Sequence, residues 1–271
     1  MIIDVNAFLG HYPFRQLPRT DARSQITHMD AHGIDVAFVS SLHAVFYRDA
    51  HEGDRELFAE IQPYPQRLMP LATVNPKYVG WEADLAESVE TGRARGIALW
   101  PEHHGYQLAD EHGQVALRRI AEYDLPVVLT QRLEDRRQRH HWDVASDLTL
   151  ESVIAAATAH PTLRLLLSNW IGLDGAKLRE AGLRGRCLID FARLHVLMNK
   201  EVPQLIEMLG VESIAFGSHM PFDYAGPSLV KLANVAAVLP DDYEQIAWKN
   251  AAKFFRLDLP ERQTGRPGAN Q

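Results

Sequence analysis

Eight short aliphatic segments alternate with longer amphipathic segments along the chain. Nearly every position of a short segment is apolar, which is typical of strands buried on both faces of a parallel sheet. Strands are predicted at residues 2–5, 36–40, 68–73, 96–100, 126–130, 163–168, 187–191 and 213–217. Helices are predicted at residues 22–32, 54–61, 81–91, 114–123, 148–159, 175–181, 200–209 and 229–238. This alternation predicts a single-domain (β/α)8 TIM barrel, with an open doubly wound sheet as the alternative.

The two ends of the pattern define the predicted domain. The barrel is assigned to residues 1–259, and residues 260–271 are polar and rich in Pro and Gly, which predicts a disordered tail. No G-x-G-x-x-G motif follows the first strand and no P-loop is present. Nucleotide-binding forms of the open sheet therefore lose support.

Composition narrows the class of partner. The chain has 28 Lys and Arg against 35 Asp and Glu, a net charge of −7, which argues against broad binding to nucleic acid. The single cysteine, Cys187, excludes an intrachain disulfide and a Cys-rich metal centre, and it fits a reducing cytosol. No apolar run is long enough for a membrane helix, and the N-terminus does not read as a signal peptide. We expect a cytoplasmic protein, with a homo-oligomer allowed, that binds a small molecule.

Four short motifs connect the predicted elements to a known family. The first strand contains Asp4-Val5-Asn6-Ala7-Phe8-Leu9-Gly10, the fifth is the segment 125–130, the eighth ends in Gly217-Ser218-His219-Met220-Pro221, and a closing segment carries Asn250-Ala251 and Phe255. They resemble the D-x-H-x-H-x-G, L-P-V-x-x-H, G-S-D-x-P and N-A-x-x-x-F motifs of the amidohydrolase superfamily, in its amidohydrolase-related branch. That branch holds decarboxylases, lactonases and hydratases, so the resemblance implies a TIM barrel and a small carboxylated substrate.

The metal-ligand positions implied by this resemblance carry other residues. Asn6 and Phe8 stand for the first two histidines, Thr130 and Asn169 for the next two, and His219 for the aspartate. A zinc site needs three or four His, Cys or carboxylate ligands, and phenylalanine cannot bind a metal. We therefore predict no metal and no other cofactor. A relocated site built from other histidines near the strand ends is the alternative.

The candidate site residues follow predicted strands, because the chemistry of a TIM barrel lies at the C-terminal ends of its strands. His219 is predicted to move a proton, since imidazole titrates near neutral pH, and Asp190 to orient a histidine or act as a base. Neutral amides can hold a substrate carbonyl, and arginines can hold a carboxylate. The residues predicted to bind substrate are Asn6, His11, Arg15, Trp100, His103, His104, Gln131, Arg132, Arg136 and Asn169.

Together these observations favour a metal-independent hydrolase or lyase of the lactonase or decarboxylase type. Its substrate is expected to be a small, carboxylated or cyclic, anionic molecule. Two alternatives stay open at this point. One is a catalytically inactive barrel that binds a small anion, and the other is a metal-dependent hydrolase with relocated histidine ligands.

Overall fold

A single sheet of eight parallel strands forms the centre of the computed structural model, which describes residues 1–198 and 200–258. The strands follow one another around the sheet in chain order. The last and first strands also meet, because the N–H of Val5 donates to the carbonyl of Phe216 at 3.0 Å and that of Phe8 to the carbonyl of Met220 at 2.7 Å. The predicted single-domain (β/α)8 barrel is confirmed. The predicted tail, residues 260–271, lies outside the described residues.

The strands are short and the helices connect them. The strands are Ile3–Leu9 (β1), Val36–Ser41 (β2), Leu68–Val74 (β3), Gly96–Leu99 (β4), Val127–Thr130 (β5), Leu165–Ser168 (β6), Cys187–Asp190 (β7) and Ile214–Ala215 (β8). The helices are Ala22–His32 (α1), Leu42–Phe46 (α2), Ala50–Ile61 (α3), Trp81–Glu90 (α4), Pro101–His104 (α5), Glu111–Glu122 (α6), Leu150–Ala159 (α7), Gly175–Glu180 (α8), Glu201–Leu209 (α9), Ala225–Val238 (α10) and Asn250–Phe254 (α11). None of the helices in the described ranges is long and apolar enough to cross a bilayer.

Three helices begin at least three residues earlier than the sequence pattern predicts, among them α6, which starts at Glu111 rather than 114. The side chain of Asp49 accepts the N–H of His51 at 3.1 Å and so starts α3 at Ala50, four residues before the predicted 54. Helix α10 starts at Ala225 rather than 229, and Pro227 sits in its first turn, where its missing N–H is tolerated. The short helices α2 and α5 were not predicted, because each is a single turn without its own apolar period.

Alternation along the strands produces two apolar layers. Leu166, Leu188 and Ala215 belong to a cluster inside the barrel, whereas their neighbours Leu165 and Ile189 pack in the cluster between strands and helices. Side chains of a strand point alternately to its two faces, and both faces are buried here. This explains why the strands lack polar alternation until their C-terminal ends.

Helix α11 covers the inside of the barrel from the side of the strand N-termini. Phe255 directly follows it and stacks on Phe38 of β2, with ring centroids 3.8 Å apart. The side-chain amide of Asn250 donates to the carbonyls of Val211 at 2.7 Å and Ile214 at 2.8 Å. The opposite end, at the strand C-termini, is therefore the end where a site can form.

Candidate active site at the barrel mouth

The end of the barrel formed by the strand C-termini is called the mouth. Three polar side chains meet there and form what we call the amide–carboxylate cluster: Asn6, Asn169 and Asp190. The amide nitrogen of Asn6 donates to Asn169 Oδ1 at 2.9 Å and to Asp190 Oδ2 at 3.3 Å. The backbone N–H of Asn169 donates to the same Asp190 oxygen at 2.8 Å. All three residues are buried, so these hydrogen bonds satisfy groups that have lost water.

Local backbone conformation brings the cluster together. Asn169 follows β6 with a φ of 58°, a left-handed conformation that asparagine adopts more readily than most residues. Gly217 lies against Asp190, and a Cβ at position 217 would come within 2.6 Å of the Asp190 Cβ. The glycine therefore leaves the space that the carboxylate of Asp190 occupies.

Buried carboxylates line this end of the barrel. Burial raises the pKa of Asp190 above its usual value, although the N–H groups of Asn169 and Ala192 act in the opposite direction. Burial also raises the pKa of Asp4 to about 7, against hydrogen bonds from Ser218 and Asn6. Asp4 accepts the N–H groups of Asn6 and Ser218, each at 3.0 Å, and so joins β1 to the end of β8.

His219 lies beside the cluster with one ring nitrogen held and the other unpartnered. Its Nδ1 lies 2.9 Å from Asp223 Oδ2, and its own backbone N–H donates to the carbonyl of Asn6 at 2.8 Å. Burial acts to raise the pKa of Asp223, but the hydrogen bond and charge of His219 lower it overall. Because an ionised carboxylate only accepts, Nδ1 donates to it, and Nε2 is the ring nitrogen left free. Nε2 is buried and has no hydrogen-bond partner among the described residues.

Aromatic side chains cover the imidazole of His219. Phe222 stacks on the ring at 5.0 Å, and Phe8 meets it edge-on at 6.0 Å. Trp100 lies 6.1 Å from Phe8, and its indole N–H is buried without a partner in the described chain. Trp100 also contacts His103, whose pKa is lowered to about 4 by burial and by the charge of Arg139. The mouth is thus apolar around its polar centre and would favour a planar or apolar substrate body.

The arginines predicted to bind an anion are paired with carboxylates of the loop after β5. Arg15 Nε lies 2.8 Å from Glu134. The carboxylate of Asp147 contacts three guanidinium groups, those of Arg132 at 2.6 Å, Arg136 at 2.7 Å and Arg139 at 3.1 Å. Asp143 also lies 3.9 Å from Arg139, so the guanidinium groups around this loop are already paired with carboxylates.

The structure brings some of the predicted substrate-binding residues to the cluster and leaves others apart from it. Gln131 accepts the N–H of Ile171 at 3.1 Å and so ties two mouth loops together. Arg136 is 69% exposed on the surface. His11 is exposed and donates its backbone N–H to His43 at 2.9 Å. Burial lowers the pKa of His104 to about 4, with a smaller effect from the charge of His103.

Two residues that follow predicted strands, Asp223 and Arg193, were not among the predicted site residues. Asp223 carries the hydrogen bond to His219, and the spacing of four residues between them was a usable signal. Arg193 lies 3.3 Å from Asp135 and 3.9 Å from Asp223, and its Nε is buried with no partner in the part of the chain that the structure describes. No sequence pattern pairs Arg193 with Asp223, because the contact depends on the course of two loops.

The histidines of the mouth do not assemble into a metal centre. Among residues 1–198 and 200–258, no group of three or more His, Cys, Asp or Glu side chains is placed to hold a metal ion. His103 and Asp143 come only to 3.7 Å, and His195 pairs with Glu201 at 2.7 Å.

Comparison with known proteins gives one family and several similar folds. The sequence model of the amidohydrolase family matches residues 10–257. The 5-carboxyvanillate decarboxylase from Sphingomonas paucimobilis is 14% identical, with a TM-score of 0.71 over 94% of this chain and 98% of that one. The 2,6-dihydroxybenzoate decarboxylase from Rhizobium is 15% identical, with a TM-score of 0.72 over 95% and 99%. No curated protein matches the chain.

A third similar structure contains a metal ion. It is a dihydroxybenzoic acid decarboxylase from Polaromonas sp. JS666 with bound manganese and an inhibitor. It is 15% identical, with a TM-score of 0.69 over 97% of this chain and 99% of that one. At these identities the likeness establishes the barrel fold alone.

Proposed function

The chain belongs to the amidohydrolase family, and we propose that it is a lyase or hydrolase that acts on a small carboxylated substrate without a metal ion. The observation that carries this proposal is His219. Its Nδ1 is held by Asp223 at 2.9 Å, while its buried Nε2 has no partner among the described residues. A general acid or base needs this arrangement, with one nitrogen oriented and the other free to exchange a proton.

The side chains at the metal-ligand positions that the family resemblance implies are poorly suited to bind a metal ion. The amide nitrogen of Asn6 donates into the space between Asn169 Oδ1 and Asp190 Oδ2, so an N–H group stands where both oxygens would face a cation. Phe8 offers no lone pair, and one imidazole cannot hold zinc or manganese by itself. The residues present therefore do not fit the divalent cation that the fold family implies, and no step of the reaction is assigned to one.

The decarboxylase type is favoured within this class. Two structures with this fold are, by their names, decarboxylases of aromatic acids, and Phe8, Trp100 and Phe222 would contact a planar substrate here. The N–H groups of Trp100 Nε1, Arg132 Nε and Arg193 Nε are buried and unpartnered in the described chain. They only donate, so they would hold the oxygens of an anionic substrate.

The proposed step uses His219 as a general acid. The bond between the substrate carbon and its carboxylate breaks, CO2 leaves, and the electron pair stays on carbon. The imidazolium form of His219 then delivers the proton of Nε2 to that carbon, and solvent restores the proton. In the hydrolytic alternative, neutral Nε2 would instead accept a proton from the attacking water.

The substitution His219→Asn tests this role. Asparagine tolerates the left-handed φ of 60° at this position but cannot exchange a proton. We expect kcat/KM to fall by about 10²–10⁴-fold, as is typical for the loss of a general acid or base, with an unchanged melting temperature. The assay follows product formation by NMR from a panel of aromatic and aliphatic carboxylic acids and lactones, in parallel samples with and without chelator.

A matched control shows whether the loss of activity is specific to His219 or follows from replacing any histidine near a strand end. His195→Asn removes another histidine near a strand end, which is half-exposed and paired with Glu201, and it should leave turnover unchanged. Undiminished turnover by His219→Asn would refute the assignment. Activity that disappears with chelator and returns with Mn²⁺ or Zn²⁺ would favour the relocated metal site instead.

A binding protein without turnover is the second candidate. The complete burial of His219 and Asn169 favours it, since a substrate must displace the aromatic cover to reach them. Saturable binding of a carboxylic acid without any product would support this candidate over the enzyme.

A further inference from the structure

Arg19, in the segment between β1 and α1, presents an unpartnered edge of its guanidinium group. Its Cζ lies 5.2 Å from the centroid of the Tyr224 ring, so one face of the group is covered. The Nε and Nη2 atoms are both buried, and neither has a hydrogen-bond partner among the described residues. These two nitrogens form the side of the guanidinium that binds a carboxylate or phosphate with two parallel hydrogen bonds.

The backbone holds Arg19 in a costly conformation. Its φ is 55°, in the left-handed region that residues other than glycine, asparagine and aspartate seldom adopt. Such residues persist only where the surrounding structure imposes them, and they concentrate at binding sites. Stacking on Tyr224 gives this side chain a fixed orientation, but it does not satisfy the two N–H groups.

The groups around Arg19 complete a cationic recess. A shallow recess of about 480 Å³, largely open to solvent, is lined by Arg19, Arg23, Ser24, Thr27, His28 and Ala31, together with Asp21. The carboxylate of Asp21 is engaged in the first turn of α1, where it accepts the N–H of Ser24 at 2.9 Å and its hydroxyl at 2.6 Å. His28 Nε2 is also buried without a partner in the described chain. Burial, and then the charge of Arg19, lower the pKa of His28 to about 4.

We propose that Arg19 and His28 form a binding site for a small oxyanion, a carboxylate or a phosphate group, in the recess beside the start of α1. An oxyanion would accept both N–H groups of Arg19, which otherwise stay buried and unpaired at a cost in free energy. It would also favour the protonated form of His28, whose Nε2–H could then donate to it. Arg19 and His28 take no part in the proposed catalysis, so a failure of this proposal would leave the proposed function untouched, and the reverse also holds.

The test uses the full chain and two probes, inorganic phosphate and acetate. Each is titrated into protein with ¹⁵N-labelled arginine and histidine, and the NMR signals of Arg19 and His28 are followed. We expect saturable shifts of the Arg19 Nε–H signal with at least one probe. We also expect the pKa of His28 to rise from about 4 towards its usual value when the site is filled. A response to phosphate but not acetate identifies a phosphate site, and the reverse identifies a carboxylate site.

Two variants make the result specific. Arg19→Lys keeps the charge but lacks the two-pronged edge, and Arg19→Gln removes both, so each should weaken binding at least about tenfold. Arg48→Gln, which removes an exposed arginine elsewhere, should bind as the unmodified chain does. The proposal is overturned if neither probe gives a saturable shift, or if Arg19→Lys binds as tightly as the unmodified chain. The melting temperature of Arg19→Lys shows that the variant is folded.

Discussion

Asp4 illustrates, at the scale of one residue, how a buried carboxylate can hold two distant segments together. It accepts N–H groups from Asn6 of β1 and from Ser218 after β8, and its other oxygen pairs with the Ser218 hydroxyl. Burial raises its pKa to about 7, so the carboxyl group keeps its proton in the folded chain at pH values where it would lose it in water. The contact at which β1 meets β8 is therefore sensitive to pH.

The expected pH dependence follows from comparing folded and unfolded states. Between about pH 4 and about pH 7, folded Asp4 retains a proton that the unfolded chain has lost. The free energy of unfolding should therefore fall as pH rises, by at most about 1.4 kcal/mol per pH unit. Asp4→Asn cannot ionise and keeps comparable hydrogen bonds. Urea unfolding at about pH 5 and about pH 8 should show the variant gaining stability relative to the unmodified chain at the higher pH.

Other buried carboxylates bear on this comparison in different ways. Asp54 also has a raised pKa, but it is present in both proteins and its contribution cancels. The charge of Asp190 contributes to the raised pKa of Asp4, so the difference between the two proteins reports Asp4 together with its interaction with Asp190. A stability difference that is the same at both pH values would show that Asp4 ionises normally in the folded chain.

Helix α11 matters at the scale of the element because it carries an aromatic side chain into the barrel. Phe255 is 4% exposed and stacks on Phe38 inside the barrel, whereas the adjacent Phe254 is half-buried and lies under the guanidinium of Arg164 at 5.5 Å. The two neighbouring phenylalanines therefore differ in environment but not in chemistry. They form a matched pair for measuring what closure of the barrel contributes.

The substitution Phe255→Ala should lower the free energy of unfolding by about 3–5 kcal/mol, because it removes a buried ring and leaves a cavity. Phe254→Ala should cost clearly less, since its ring keeps part of its contact with water. Chemical denaturation of both variants gives the comparison. An equal or larger loss for Phe254→Ala would mean that α11 contributes little to the core.

At the scale of the whole molecule, the closed sheet makes every strand depend on two neighbours. Each of the eight strands pairs in parallel with the next, and hydrogen bonds from β1 to the β8 segment close the ring. Parallel pairing between consecutive strands and closure between the two ends give one core rather than separable halves. The barrel is accordingly expected to unfold as one unit.

Calorimetry of the full chain and of a variant ending at residue 259 tests the predicted domain. We expect one transition in both, with melting temperatures that agree within about 1 °C, because a polar segment rich in Pro and Gly buries little apolar surface. Two transitions would contradict the single domain. A large drop in melting temperature for the shorter chain would contradict the assignment of residues 260–271 as a tail.

Much of the candidate site could be predicted because its residues lie at or shortly after the ends of the predicted strands. Asn6, Asn169, Asp190 and His219 were each assigned from their place after an apolar run, and the barrel brings them together at one end. The residues of the long loop after β5 were harder. Arg136 proved to be exposed, since no periodic pattern specifies the course of an irregular loop.

The alternation of apolar runs and helical segments predicts a parallel sheet covered by helices, because burial on both faces demands continuous aliphatic strands, and eight such units favour the barrel over an open sheet. From the same sequence, the resemblance to the amidohydrolase superfamily predicts that the metal-ligand positions carry other groups. The sequence alone does not determine which N–H group donates to which oxygen at the site. The hydrogen bonds of Asn6 join residues 163 and 184 positions apart in the chain, so they exist only once the ring has closed. The free nitrogen of His219 is likewise a property of the closed barrel, because its neighbours Asn6 and Phe8 come from the opposite end of the chain.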